Sequence, residues 1–119
     1  MKMKESIPSK KELLTKRRKL VKTLGRYQFV LRGSIRKQGN ICGNPNCRCK
    51  DKKNPVLHGP YYYLSNRYKD KMQTLFLNDK KMKYAEKGIK NYNELFDAIY
   101  ELCYINFLLV RYYYKDKLI

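Results

Sequence analysis

The stretch between Cys42 and His58 constrains the fold of this 119-residue chain more than any other. It holds three of the four cysteines and the only histidine, in the spacing Cys-x4-Cys-x-Cys-x8-His. Glycine, proline and asparagine separate these residues, which predicts a loop rather than a helix or a strand. Thiolates and an imidazole are ligands of zinc, and four of them close a tetrahedral structural site. We therefore predict a zinc-knuckle-like loop, with Zn2+ held by Cys42, Cys47, Cys49 and His58.

Two other interpretations of these residues stay open. The thiols can be reduced and partly buried while His58 caps a turn, or two cysteines can form a disulfide. Arg48 and Lys50 alternate with the thiols and are expected to lower the thiol pKa values, which favours metal binding and oxidation alike. A short chain buries a small share of its surface, so a structural zinc, worth on the order of 10 kcal/mol, would matter for folding.

The charge of the chain points to a polyanionic partner. Its net charge is +18, from 28 basic and 10 acidic residues. Residues 1–53 carry 17 basic and 3 acidic residues, a net charge of +14, whereas residues 54–119 carry 11 and 7, a net charge of +4. A lysine-rich composition would explain the total but not this asymmetry. Such an excess repels itself unless a polyanion lies near it.

The pattern of elements predicts one α+β domain over residues 1–119. It consists of a basic helix over 9–24, a small three-stranded antiparallel sheet over 27–78 that contains the Cys/His loop 42–58, and a long helix over 80–112. Ser9 and Glu12 form a capping box at the start of the first helix, and Gly25 ends it. Its run of four basic residues is either a solvated face or, as we favour, a phosphate-binding face.

Alternation of apolar and polar residues predicts the three strands Tyr27–Lys37, Tyr61–Tyr68 and Met72–Asn78. Gly33 indicates a bulge or a close backbone approach. A tight turn at Asp70-Lys71 would place Leu64 opposite Leu77 and Asn66 opposite Leu75, and the apolar face would hold Tyr62, Leu64, Leu75 and Leu77. The other face mixes aromatic and cationic groups, such as Tyr63, Arg67 and Phe76. It either contacts nucleic acid or packs under a helix.

The C-terminal third shows a heptad-like apolar stripe that begins at Ala85. A stripe of this length exceeds what the sheet can cover, so we expect a helix hairpin, a homodimer or a larger protein partner. Cys103 is most simply a small core residue on this stripe. The predicted interface residues are Ile89, Tyr92, Phe96, Ile99 and Cys103.

We expect a nucleic-acid-binding protein rather than an enzyme. His58 has no evident acid-base partner, and no phosphate-binding glycine loop, paired carboxylate motif or nucleophile elbow occurs. The second hypothesis is a protein-interaction subunit that docks through the long helix. The predicted nucleic-acid contacts are Lys16, Arg17, Arg18, Lys19, Arg32, Arg36, Arg48, Lys50, Lys52, Lys53 and Arg67.

Hydropathy predicts no membrane contact. No signal-peptide pattern appears, and no segment reaches the roughly 18 apolar residues of a membrane span. Four cysteines without a secretion signal fit a reducing compartment, where metal binding is more common than a disulfide framework. We therefore expect a cytoplasmic protein.

Three motifs resemble those of a family of small uncharacterised prokaryotic proteins, catalogued as a domain of unknown function. They are Gly33-Ser34-Ile35, the run Cys-Gly-x-Pro-x-Cys-x-Cys from Cys42, and His-Gly-Pro-Tyr from His58. Some members of that family carry transposase or mobile-element labels. The resemblance covers residues 30–110 and implies a metal loop, a hairpin, a helical tail and a setting near mobile elements or viruses, in a prokaryotic cell or an infected host. It favours double-stranded DNA as the partner and implies no reaction. Structured RNA, including ribosomal RNA, is the alternative, because small, lysine-rich, zinc-containing chains also suit ribosome surfaces.

Overall fold

The computed structural model describes residues 6–119 and has the predicted α+β architecture. The three strands form one antiparallel sheet in the order β1-β2-β3. The Cys/His loop contains one 3-10 turn, Arg48–Lys50. The elements in chain order are α1 (Lys10–Leu24), β1 (Ser34–Asn40), β2 (His58–Tyr68), β3 (Lys71–Leu77) and α2 (Asp79–Tyr113).

The chain divides into two compact units. Residues 6–29 and Asn91–Ile119 form one, called here the helical unit, and Val30–Lys90 form the other, called the sheet unit. Helix α2 contributes residues 79–90 to the sheet unit and residues 91–113 to the helical unit. Within residues 6–119, neither helix combines the length and the apolar character needed to cross a bilayer.

In the helical unit, α1 begins as the sequence predicts. The Ser9 hydroxyl accepts a hydrogen bond from the backbone N–H of Glu12 at 3.1 Å, which satisfies one of the free donors of the first turn. The helix packs on α2 through one buried cluster of Leu13, Ile105 and Leu109. These leucine and isoleucine side chains make the centre of the contact between the two helices apolar, so the hydrophobic effect stabilises it.

The predicted first strand, Tyr27–Lys37, is wrong in its bounds, because pairing with β2 begins only at Ser34 and continues to Asn40. Before Ser34, the chain makes hydrogen bonds to α2 rather than to β2. In the sheet unit, the Leu31 N–H donates to the carbonyl of Gly88 at 3.0 Å. Gly33 marks the predicted close approach, since a Cβ there would lie 2.6 Å from the Ser65 carbonyl oxygen.

The predicted hairpin turn was also misplaced. The two turn residues are Lys69 and Asp70, with φ angles of 48° and 63°, and not Asp70 and Lys71. Two consecutive positive φ angles match the right-handed twist of a hairpin. The register therefore shifts by two residues from the prediction, so that Leu64 pairs with Leu75 and Tyr62 with Leu77. A shift of two keeps every side chain on its predicted face.

One face of the sheet packs on the first turns of α2. Leu64 and Leu77 form a buried cluster with Ala85 of α2, and Tyr62 and Ile89 pack against it. Leu75, predicted to share this core face, is an exposed residue instead. Leu75 lines an open pocket with Leu31 and Leu64.

Helix α2 is unbroken over 35 residues, with no interruption at Gly88 or at the asparagines that follow it. The predicted stripe is buried only at its start, where Ile89 packs under the sheet. Phe96, Ile99 and Cys103 are exposed, so the prediction of Cys103 as a core residue is wrong. A neighbouring row that includes Leu109 forms the core of the helical unit instead.

Replacing Gly88 by alanine should destabilise the sheet unit, although helix propensity alone favours alanine by about 1 kcal/mol. A Cβ at residue 88 would lie 2.7 Å from Cγ of Leu31 and 2.9 Å from its Cβ. Because Leu31 is also held by its backbone, we expect Gly88→Ala to lower the free energy of unfolding by about 1–3 kcal/mol in urea titrations.

The matched control is Gly25→Ala. The nearest atom to a Cβ there is the Lys22 carbonyl oxygen at 3.6 Å, an ordinary contact. This variant should stay within about 0.5 kcal/mol of the parent. A Gly88→Ala protein that is more stable than the parent would contradict the packing argument.

Candidate metal centre and basic surface

The two ends of the Cys/His loop are held together by the sheet. Asn40, the last residue of β1, pairs with His58, the first residue of β2, after an irregularity that follows Gln38. Gly39 lies at this irregularity, where a Cβ would come within 2.7 Å of the Leu57 Cβ. Strand pairing therefore places the imidazole next to the start of the cysteine run.

Two short turns shape the inside of the loop. The Cys47 N–H donates to the Asn44 carbonyl at 3.2 Å, and the Asn44 side-chain oxygen accepts from the Asn46 N–H at 3.0 Å. The 3-10 turn follows, closed by the Lys50 N–H on the Cys47 carbonyl at 3.0 Å. These turns place Cys47 and Cys49 on one compact segment.

All four predicted ligand residues converge. The ligand atoms of Cys42, Cys47, Cys49 and His58 lie within 4.8 Å of one another, and this group could hold a metal ion. The Sγ atoms of Cys42 and Cys49 are 3.7 Å apart, and Sγ of Cys47 is 3.0 Å from Nε2 of His58. In a tetrahedral zinc site these separations are about 3.8 Å for two sulfurs and about 3.6 Å for sulfur and nitrogen. The sulfur pair already has that spacing, whereas Cys47 and His58 lie closer, at the distance of a hydrogen bond between thiol and imidazole.

Of the two other interpretations, reduced and partly buried thiols are compatible with the structure, whereas a disulfide does not fit these distances. All four cysteines of the chain are free in the structure, so no disulfide is formed. A 3.7 Å gap between sulfurs is far beyond the roughly 2.05 Å of a disulfide bond. His58 faces a thiol through Nε2, so it does not simply cap a turn.

The thiols differ in their acidity. A hydrogen bond from the backbone of Cys49, followed by those from the Cys42 and Cys49 thiols, lowers the pKa of Cys47 to about 6. The Cys42 N–H donates to the sulfur of Cys49 at 3.3 Å and lowers the pKa of that thiol. Burial and the neighbouring thiols outweigh it and raise the pKa of Cys49, which is 1 % exposed.

The lowered pKa of Cys47 favours cation binding by the four ligand residues. Local hydrogen bonds, rather than the flanking Arg48 and Lys50 that the sequence suggested, lower the pKa of Cys47. Metal ligation needs thiolates, and the lowered pKa of Cys47 favours that form of the ligand. Three sulfurs forced together would repel one another when ionised, and a divalent cation relieves that repulsion.

The loop also holds polar residues that the sequence analysis did not single out. Asn44 and Asp51 each accept a backbone N–H two residues on, at 3.0 Å from Asn46 and 2.9 Å from Lys53. Such short side chains before a turn are a recognisable signal for this arrangement. They fix the backbone on both sides of the ligand cluster.

Most of the predicted nucleic-acid contacts are exposed. The exception is Arg17, which is half-buried and donates from Nη1 to the Asn106 side chain at 3.1 Å and to the Leu118 carbonyl at 3.0 Å. Among residues 6–119 the structure has one salt bridge, Lys10 to Asp116. Thus none of the predicted contacts has its charge neutralised by a carboxylate in the described part of the chain.

The aromatic and cationic face of the sheet is open. Phe76 is 48 % exposed, whereas Tyr61 and Tyr63 beside it are half-buried. The Phe76 ring lies edge-on to that of Tyr63 at 5.7 Å. The guanidinium of Arg36 lies over the Tyr63 ring at 5.9 Å. The alternative that these aromatics pack under a helix is wrong, because α2 covers the opposite face.

Loss of one thiol should abolish metal binding. Cys49→Ser removes the most buried ligand, so we expect the purified protein to fall from about one Zn2+ per chain to nearly none, with a clearly lower melting temperature. Native mass spectrometry and elemental analysis measure the metal content. Cys103→Ser, an exposed cysteine outside the cluster, is the matched control and should keep the full metal content.

Comparison with known proteins identifies the family. A search of curated proteins and a search of solved structures each returned no significant match. The family model described as domain of unknown function DUF6788 matches residues 10–83, more than half of the chain, from α1 through the Cys/His loop and the sheet to the start of α2. The chain therefore belongs to the DUF6788 family.

Proposed function

We propose that the protein binds nucleic acid through a basic surface that a structural zinc ion holds rigid. One observation carries the proposal: four soft ligand atoms converge within 4.8 Å in the same loop that exposes Arg48, Lys50, Lys52 and Lys53. A loop of this kind would otherwise sample many conformations, and ordering it only on binding would cost affinity.

The zinc in this proposal is structural. Three thiolates and one imidazole complete a tetrahedral shell and leave no open position for water or substrate. The set is also soft, which selects zinc over magnesium or calcium. The proposal accordingly assigns binding and no reaction to the chain.

Binding would be electrostatic in the first place. The sheet unit carries 15 basic and 4 acidic residues, a net charge of +11 within 61 residues. Each phosphate neutralised by a lysine or arginine releases condensed counterions, and this release supplies the free energy of non-specific binding. We propose DNA as the preferred polymer, in a cytoplasmic, mobile-element or viral setting, on the strength of the family resemblance. Structured RNA, such as ribosomal RNA, is the alternative.

A steep salt dependence should follow. If six phosphates are engaged, the affinity for a short oligonucleotide should fall about 10³-fold between about 50 and 200 mM salt. Fluorescence anisotropy with labelled DNA and RNA, each as a single strand and as a duplex, measures this slope. An affinity that changes less than about threefold for every one of them would contradict an electrostatic interface.

The contribution of α1 can be tested without unfolding the protein. Deleting the helix would remove the buried Leu13, whereas Lys16, Arg18 and Lys19 are exposed and can be changed to glutamate. This triple variant should weaken binding and flatten the salt slope by about 2–3. A variant with the same charge change at Arg111, Lys115 and Lys117, which are also exposed, is the control and should retain most of the affinity.

A second candidate function, a protein interface, is favoured by the exposed side of α2 in the helical unit. We propose that it pairs with a second copy of the chain. Apolar residues lie four and seven positions on either side of Cys103, and all are exposed. In an antiparallel pair centred on Cys103, Phe96 would meet Val110 and Ile99 would meet Phe107, so the surface is complementary to itself.

Charge also permits this pairing. Residues 91–110 hold three carboxylates and no lysine or arginine, in a chain of net charge +18. Two copies can therefore approach along this segment with little repulsion, over a length of about 21 Å for residues 96–110.

A dimer should be visible in sedimentation. We expect the protein to dimerise at micromolar concentration and Phe107→Asp to be monomeric, because a charge would be buried in the apolar contact. Val21→Asp is the matched control, since Val21 is 54 % and Phe107 57 % exposed. A parent protein that stays monomeric at about 100 µM would contradict pairing with a second copy.

A further inference from the structure

The open face of the sheet consists of side chains from all three strands. Arg36 of β1, Tyr63 of β2 and Phe76 of β3 stand side by side in the observed register. Tyr61, two residues before Tyr63 on the same strand, has its ring 6.2 Å from that of Phe76. The three rings therefore form one patch, the aromatic patch, on the side of the sheet that faces away from α2.

Cations border this patch. Arg36 contacts the Tyr63 ring, and Arg67 lies on the same face of β2 four residues further on. Within the three described strands there is no Asp or Glu. The Asn40 side chain donates to the Tyr63 hydroxyl at 3.4 Å, which fixes that ring at the edge of the metal loop.

A cleft continues the face at its other end. It has a volume of about 360 Å³ and is lined by Arg32, Ser34, Ser65 and Arg67, among others. Its two guanidinium groups and two hydroxyls offer only donors and weak acceptors to an anion. The cleft is large enough for a phosphate group with its sugar.

This arrangement fits an unpaired strand better than a duplex. An aromatic ring can stack only on a base whose face is not already covered by a neighbouring base. A single strand offers such bases, whereas the bases of a duplex are stacked on one another. A second copy of the chain is disfavoured here, because two such cationic faces repel each other.

We propose that the open sheet face binds single-stranded nucleic acid, with bases stacked on Tyr63 and Phe76 and phosphates held by Arg36 and Arg67. This inference rests on the proposed function and narrows its substrate to unpaired strands. Stacking is tolerant of sequence, so the site accepts DNA and RNA without strong base preference. The hydrogen bond between Asn40 and Tyr63 places the Cys/His loop next to the aromatic patch. The sugar-phosphate backbone of the bound strand would then continue from the patch onto Arg48 and Lys50, which are exposed on that loop.

The test is fluorescence anisotropy of the zinc-loaded full chain with 15-nucleotide dT, 15-nucleotide rU and a 15-base-pair DNA duplex. We expect the single strands to bind about tenfold more tightly than the duplex. Phe76→Ala should weaken single-strand binding about tenfold and change duplex binding less than twofold. Phe76→Tyr, which keeps the ring, should retain single-strand binding.

The control is Tyr114→Ala, which removes a ring that is 65 % exposed outside the sheet and should leave both affinities unchanged. If Phe76→Ala does not fold, Phe76→Leu against Phe76→Tyr tests the ring with the side-chain volume kept. Photocrosslinking of 5-iodouridine oligonucleotides, mapped by mass spectrometry, should label Tyr63 or Phe76.

The outcomes separate this inference from the proposed function. Tight duplex binding with equal or weaker single-strand binding, or crosslinks confined to α1, would overturn the sheet-face site and leave a nucleic-acid-binding protein. Loss of both affinities in Phe76→Ala, with the fold intact, would also overturn the preference for single strands. Absence of binding to all three oligonucleotides would overturn the proposed function and this inference together.

Discussion

The antiparallel pairing of β1 with β2 is the interaction on which the sites of the sheet unit depend. It brings Asn40 opposite His58, and so closes the loop whose three thiols meet the imidazole. The same ladder sets Arg36 beside Tyr63 on the open face. A one-residue slip would turn Tyr63 toward α2 and move His58 away from Cys47, so it would disrupt both sites at once. Closing a loop of this length costs entropy, and a bound metal ion offsets that cost where the cysteines and histidine meet.

The sequence predicted the ligand cluster and the element order because both rest on local patterns. Cysteine spacing, the Ser9 cap and the alternation in β2 are short-range signals, and the structure confirms each. The boundaries that failed depend on tertiary contacts. Residues before Ser34 alternate like a strand, but Leu31 bonds to Gly88, a contact that no local pattern contains. The hairpin turn was misplaced because Lys69, next to Asp70, takes up a positive φ angle, which is uncommon for residues other than glycine, asparagine, aspartate and histidine.

Helix α2 shows why a stripe in sequence does not by itself identify a core. The row from Ala85 through Phe96 to Cys103 is continuous in the sequence, yet only its start is buried. In the helical unit, α1 covers a different row, the one that includes Ile105 and Leu109, and leaves the predicted row exposed. Which of two apolar rows is buried therefore depends on where the partner helix lies, and the pattern within α2 does not contain that information.

The metal site and the basic residues of the sheet unit both determine the electrostatic field at the open face of the sheet. A zinc ion with three thiolates carries a net charge of about −1, so it offsets part of the repulsion among the cations of its own loop. That offset is small compared with the net charge of +11 of the sheet unit. The aromatic patch therefore lies in a strong positive field. Rings alone would attract any apolar surface, and cations alone would attract any polyanion. Together, on a face without carboxylates, they favour a polymer that has both exposed ring faces and phosphates, which is the chemistry of an unpaired nucleic-acid strand.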